Sequence, residues 1–357
     1  MTILLALACT APSDDSAGST VEPREYSDCD PISYDYCSLP YPSSFYLRED
    51  SSTATGFRVH LGATTIPATY QGLQPDPASW NQLDGFSPLG PLLARFHDLS
   101  LDGIPLHDDI GASIEDGSPI VLIDMETGER QPVWAELDMS GEHDAGYEFL
   151  FIRPVRPLAN GHRFAVGIRN LKDTSGNLIA ASDGYAALRD GTPTENWDIE
   201  GRRGTYDEIF ATLEQDGWSR GETQLAWDFV VGSKEGITGR MVSMRDQMLA
   251  ALPEGGPTYT IDTVTDNVSD TIYREIQGHM DVPLFLEADA ADTMLTRDDA
   301  GMPYQNGETS VHFTIRIPWT AVNDPRPLKL LQYGHGLLGD QDEVGAGYLG
   351  EMANTYG

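Results

Sequence analysis

Three glycine-bearing patterns hold the residues whose type and spacing could carry chemistry. Gly217-Trp-Ser-Arg-Gly221 satisfies G-x-S-x-G, the string that presents a nucleophilic serine on a strained strand-to-helix turn. Here the flanking patterns run the other way, helical before and strand-like after. Ser219 is therefore expected in a helix-terminating turn, with Gly217 as its C′ residue. Gly345-Ala-Gly-Tyr-Leu-Gly350 matches G-x-G-x-x-G, but a dinucleotide site needs that motif directly after a strand. It follows Asp340, Asp342 and Glu343 instead, whose charges repel a pyrophosphate, so no cofactor is expected. The third pattern is His335-Gly336 and its glycine-bearing loop, placed after the apolar run Leu328 to Tyr333. Glycines permit backbone N–H groups to turn toward an oxygen that becomes negative in acyl transfer, and a strand end would fix them there.

The three cysteines divide into one and two. Cys9 closes the short apolar run Ile3 to Ala8, and Ala6-Leu7-Ala8-Cys9 resembles the lipobox of a bacterial lipoprotein signal, whose cleavage leaves a cysteine for acylation. The Ser/Thr/Asp/Pro-rich stretch Thr10 to Glu22 then reads as a tether. Cys29 and Cys37 enclose seven residues, and in an exported chain a disulfide between them is expected, two free buried thiols being the alternative. No C-x-x-C, H-E-x-x-H, P-loop or EF-hand spacing occurs, so no metal site is expected. His107-Asp-Asp109 and Glu142-His-Asp144 could gather Ca²⁺. With 56 acidic residues present, such clusters arise by chance and read as solvated surface. His60, His97, His162, His279 and His312 lack partner spacing and are read as structural.

The elements that must position these groups follow from composition and periodicity. The chain has 357 residues, enough for about two domains. Its formal net charge of −34 repels phosphate backbones, so no nucleic-acid partner is expected. No apolar run is long enough to span a bilayer, so membrane contact is expected through a lipid anchor alone. Short extended runs at Pro119–Asp124, Tyr147–Arg153 and Arg163–Arg169, separated by turns such as Asn160-Gly161 and Asp173 to Asn177, predict a β-sandwich of immunoglobulin-like type. Tyr206, Ile209, Phe210 and Leu213 predict a helix capped by Thr205 and running to Asp216. A second helix is predicted from Gly239 to Leu252, with Met241, Met244, Met248 and Leu249 as a core-facing stripe, and a strand at Gln224–Val231 between the two. Strands are predicted again at Pro283–Leu286, Ser310–Pro318 and Pro327–Tyr333, then a helix near Ala346 to Ala353.

Taken in order, Leu39-Pro-Tyr-Pro-Ser-Ser-Phe45, Leu83-Asp-Gly-Phe-Ser87, Ile152-Arg-Pro-Val-Arg-Pro-Leu158, Leu171-Lys-Asp-Thr-Ser-Gly176, Trp227-Asp-Phe-Val-Val231 and Tyr333-Gly-His-Gly336 resemble the amino-terminal region of secreted bacterial lipases of the virulence-factor type. The resemblance implies an Ig-like module ahead of an α/β-hydrolase domain, and thus a mainly β fold with some α. It implies that His335 positions the oxyanion loop at Gly336 and that the Leu337 amide is the donor. The nucleophile, acid and histidine of that family would follow this loop, so the hydrolase domain is expected to be incomplete here, and no Ser-His-Asp set is nominated. The expected organisation is a signal remnant at 1–9, a tether at 10–28, a β-sandwich at 29–200, a helical connection at 201–257 and the start of the hydrolase domain at 258–357. The expected function is that of a surface-anchored ester hydrolase acting on an ester or lipid-like small molecule, in an exported bacterial lipoprotein at the outer membrane or cell surface. The alternative is a non-catalytic cell-surface binding or scaffolding lipoprotein.

Overall fold

A computed structural model describes residues 27–139, 148–324 and 326–357. The protein is β-rich with some helix and divides into two compact units, Met1–Gly232 and Ser233–Gly357. The segment 201–257, expected as a connection, is split between them.

Unit 1 holds a short hairpin, β1 (Leu47–Glu49) with β2 (Phe57–Val59), and two three-stranded antiparallel sheets. One sheet orders β3 (Leu92–Arg95), β6 (Phe149–Pro154) and β5 (Val133–Leu137) as β3-β6-β5. The other orders β4 (Ile120–Asp124), β7 (Arg163–Arg169) and β8 (Thr223–Val230) as β4-β7-β8. In β6 burial alternates, with Leu150 and Ile152 inward, as a half-covered strand requires. In β8 every residue is buried, because both faces are covered. Apolar residues of both sheets belong to one continuous core.

The helices α1 (Asp183–Asp190), α2 (Trp197–Glu200) and α3 (Arg203–Gln215) complete this unit. The predicted face of α3 is the buried one: Tyr206, Ile209, Phe210 and Leu213. It lies on β7 and β8, and the Tyr206 hydroxyl donates to the Ala226 carbonyl at 3.0 Å. Gly167 in β7 permits this approach, since a Cβ there would come within 2.8 Å of Leu213 Cδ2. Thr205 does not cap the helix. Arg202 is the N-cap residue, and Thr205 falls in the first turn because the helix starts earlier than the apolar stripe does. The other end closes as expected. Gly217 takes φ +86°, its N–H reaches Glu214 O at 3.1 Å, and the Trp218 N–H reaches Leu213 O at 2.9 Å, the paired bonds of a Schellman turn.

Unit 2 holds α4 (Lys234–Ala251), an antiparallel sheet ordered β11-β10-β9, and two further helices. The strands are β9 (Tyr259–Asp266), β10 (Ile272–Pro283) and β11 (Glu308–Pro318), and the helices α5 (Thr320–Asn323) and α6 (Gly347–Tyr356). Helix α4 is capped by Ser233, whose hydroxyl accepts from the Gly236 N–H at 2.8 Å. Its methionine stripe does not form core. No residue of α4 is buried, Met241 and Leu249 are exposed, and among the described residues no element encloses the stripe. The run Pro327–Tyr333 forms no strand either. It pairs with no strand among the described residues, and Leu330 is 95 % exposed. Likewise Pro283 ends β10, and Leu286 makes only an isolated bridge to Leu295.

Candidate functional site

The loop after Tyr333 is organised by a carboxylate. Asp340 caps a 3-10 turn, Gln341–Gly345, by accepting from the Asp342 N–H at 2.9 Å, and this turn carries Glu343 back over the loop. The Gly336 N–H donates to Glu343 Oε2 at 3.0 Å, and the Tyr333 hydroxyl lies 3.5 Å from the same oxygen. The Tyr333 hydroxyl also meets that of Tyr348 at 3.1 Å. Together the Tyr348 hydrogen bond, desolvation and the Glu343 charge push the Tyr333 pKa up to about 12. His335 folds onto its own loop, with Nδ1 at 2.8 Å from the Gly336 carbonyl oxygen; at that distance Nδ1 is the donor.

Glycine is used here differently from the expectation. Gly336 has room for a Cβ, the nearest atoms being Glu343 oxygens at 3.8 and 3.9 Å. Gly339 is the crowded position: a Cβ would fall 1.8 Å from Glu343 Oε1, so its lack of a side chain makes space for the carboxylate. The left-handed residue of the loop is Leu338, at φ +63°. The Leu337 and Leu338 side chains stand almost fully in solvent. Within the stretch His335 to Gly339, the backbone amide that donates to a carboxylate oxygen among the described residues is that of Gly336, one position before Leu337.

Beside this loop, unit 2 holds a cavity of about 750 Å³. Its wall is mainly apolar, from Ile315 of β11, Leu328 and Leu331 of the run before the loop, and Leu349 and Met352 of α6, and His335 also lines it. A cavity of this size and lining suits a small apolar ligand.

Cys29 and Cys37 form the expected disulfide. Cys9, the tether and Glu142-His-Asp144 lie outside the described residues. Ser219 sits on the turn between α3 and β8, exposed, and makes no side-chain hydrogen bond to a histidine among the described residues. Of the G-x-G-x-x-G glycines, Gly350 is packed inside α6, where a Cβ would meet Thr271 Oγ1 at 2.5 Å, whereas Gly347 faces open space. His107 packs edge-on against Trp134.

Histidines read as structural do have carboxylate partners. His97 reaches Asp35 at 3.3 Å, and His279 reaches Asp262 at 3.0 Å. His162 faces two carboxylates, those of Asp124 and Glu126, in unit 1. The separation of 38 positions from Asp124 to His162 gives a sequence reader no spacing signal; the β4–β7 pairing brings them together.

No family model matches the chain, and no curated protein is significantly similar to it.

Proposed function

We propose that this chain is part of a surface-anchored ester hydrolase of lipase/esterase type, in which unit 1 is the Ig-like module and unit 2 opens the α/β-hydrolase domain. The loop at His335, Gly336 and Leu337 supplies oxyanion donors, and the serine, acid and histidine of the triad lie elsewhere. The observation that carries the reading is the Gly336 N–H held on a carboxylate oxygen, beside a mainly apolar cavity of about 750 Å³. The Gly336 N–H takes a negative oxygen as partner, so it could donate to an oxyanion once Glu343 is displaced, and an apolar wall suits an acyl chain. Export and anchoring through an acylated Cys9 belong to the same reading, with an ester or lipid-like small molecule as substrate and no nucleic acid as partner.

The test is fluorescence titration of the full chain with a long-chain acyl probe. Saturable binding is expected, weakened about tenfold or more by Leu331→Asp, which would place a charge on the cavity wall and cost at least ~1.4 kcal/mol. Absence of saturable binding, or binding unchanged in that variant, overturns the reading. No labelling of Ser219 by a fluorophosphonate is expected; labelling abolished in Ser219→Ala would overturn the placement of the nucleophile elsewhere.

One observation favours a second reading, a non-catalytic binding or scaffolding lipoprotein. The Gly336 amide is already occupied by Glu343, so the loop is internally satisfied without substrate. Probe binding without any ester turnover by the entire gene product would select it.

A further inference from the structure

We propose that Asp124, Glu126 and His162 form a binding site for a first-row divalent cation, Zn²⁺ or Mn²⁺, at the rim of the β4-β7-β8 sheet. Asp124 ends β4, Glu126 lies in the turn that follows, and His162 immediately precedes β7. Antiparallel pairing of Asp124 with Phe164, and the Met125 N–H on Arg163 O at 2.9 Å, bring all three to one edge. His162 Nδ1 is 2.9 Å from Asp124 Oδ2 and 3.9 Å from Glu126 Oε2, and one donor atom from each residue lies within 4.8 Å of the others. Two ligands bound at about 2.1 Å to one cation are about 3.0 Å apart at a right angle and about 3.6 Å apart at 120°. The distances to Nδ1 need only a few tenths of an ångström of adjustment, which exposed Glu126 can make.

Both carboxylates are held in place without a metal. Asp124 Oδ1 accepts from the Glu126 N–H at 3.0 Å and the Thr127 N–H at 3.4 Å, which leaves Oδ2 facing the imidazole. Both Glu126 oxygens accept from the Arg163 N–H, each at 3.0 Å. Outer hydrogen bonds of this kind orient metal ligands and are part of a working site. A histidine–aspartate ion pair accounts for Asp124 and His162 and the Arg163 N–H for Glu126, but neither joins the second carboxylate to the ring. At 3.9 Å that carboxylate is beyond hydrogen-bond reach of Nδ1, so a single ring proton bridges only Asp124. A divalent cation reaches both. The nearby guanidinium does not neutralise the pair, since Arg163 Nε is spent on Asp228 and Nη1 on Glu208.

One imidazole and two carboxylates suit borderline cations, whereas Ca²⁺ prefers six to eight oxygens. Asp124 is buried, but the His162 side chain is 35 % and that of Glu126 46 % exposed, so water can fill the remaining positions. All three residues belong to unit 1.

The test is equilibrium dialysis of the chelator-stripped full chain against Zn²⁺, Mn²⁺ and Ca²⁺, with bound metal counted by mass spectrometry. One equivalent of Zn²⁺ is expected, with Mn²⁺ weaker and Ca²⁺ weakest. Glu126→Gln and His162→Gln should each weaken Zn²⁺ binding at least about tenfold, at unchanged melting temperature without metal. With Co²⁺ in place of Zn²⁺, the visible absorption of the bound ion should vanish in His162→Gln. No saturable equivalent, or an equivalent indifferent to both variants, overturns the proposal; the latter would mean diffuse binding to the acidic surface.

Discussion

Asp30→Asn is the sharpest test of how unit 1 is held together. Asp30 is buried and belongs to the disulfide loop, while Arg202 sits at the start of α3, 172 positions on. Arg202 Nη1 donates to Asp30 Oδ1 at 2.6 Å. The same carboxylate accepts from the Ile32 N–H at 3.1 Å and from the Ser43 hydroxyl at 3.4 Å. The Arg202 guanidinium lies over Phe45 and Tyr206, 5.0 and 5.3 Å from the ring centres. Asparagine keeps the shape and the Ile32 bond but removes the charge, leaving a buried cation uncompensated. Losing one member of a buried pair costs about 3–5 kcal/mol. The two aromatic faces still shelter the guanidinium, so the low end, about 3 kcal/mol, is expected. For a unit of this size that lowers Tm by about 6–12 °C.

Urea unfolding followed by tryptophan fluorescence reads this directly, because Trp218 and Trp227 are buried in unit 1 and Trp319 belongs to unit 2. Asp30→Asn combined with Arg202→Met should recover part of the loss, as no buried charge then lacks a partner. Arg202→Met alone has a pH signature. Burial raises the Asp30 pKa even with Arg202 in place, and loss of the arginine raises it further. A folded carboxylate with a raised pKa binds more protons than the unfolded one, so stability falls as pH rises through that pKa. Arg202→Met should therefore lie nearest the native protein at acid pH, with its deficit growing from about pH 4 upward. A loss below about 1 kcal/mol in Asp30→Asn at neutral pH would refute the reasoning, since the pair would then be solvated.

Two further predictions concern the same unit. Reduction of Cys29–Cys37 should destabilise by about 2–3 kcal/mol, the loop-entropy value for so short a ring, and free-thiol labelling of denatured, non-reduced protein should find neither cysteine. Glu200, whose pKa is lowered to about 2 chiefly by its hydrogen bonds from Arg203 and the Thr194 N–H, should titrate there by carboxyl NMR and return toward the ordinary range in Arg203→Ala. Because the folded pKa is the lower one, the stability it contributes is present above about pH 4.5 and is lost as pH falls toward 2. A normal titration in the native protein would count against the Arg203 contact.

Where the sequence was legible, the signal was local. Strands β4, β6, β7 and β8 and the buried face of α3 follow from apolar spacing within single segments, and the end of α3 from Gly217. Turn chemistry located Gly161 and Gly176, both at positive φ. The misreadings share a different cause. Pro327–Tyr333 and the methionine stripe of α4 have the composition of a strand and of a core face, but a strand is defined by its partners and a core face by what covers it. Neither is supplied to them by the described residues.

The candidate sites were obscure for the same reason in stronger form. Motif reading finds glycines and histidines that stand close in sequence, so it pointed to Gly336, whereas the glycine against which the Glu343 carboxylate lies is Gly339, a contact that depends on where Glu343 is carried by the following turn. It also set aside His162, because no ligand-like residue stands at metal spacing beside it. The β4–β7 ladder converts a separation of 38 positions into a 2.9 Å contact, and backbone amides then fix both carboxylates around one imidazole nitrogen. Register, rather than residue type, creates that cluster. A one-residue slip between β4 and β7 would turn Asp124 to the opposite face and dissolve the cluster with no change in composition. Chemistry assembled by strand pairing is therefore found by following the ladder from Asp124 to Phe164, and chemistry assembled by a loop by following its amides to Glu343.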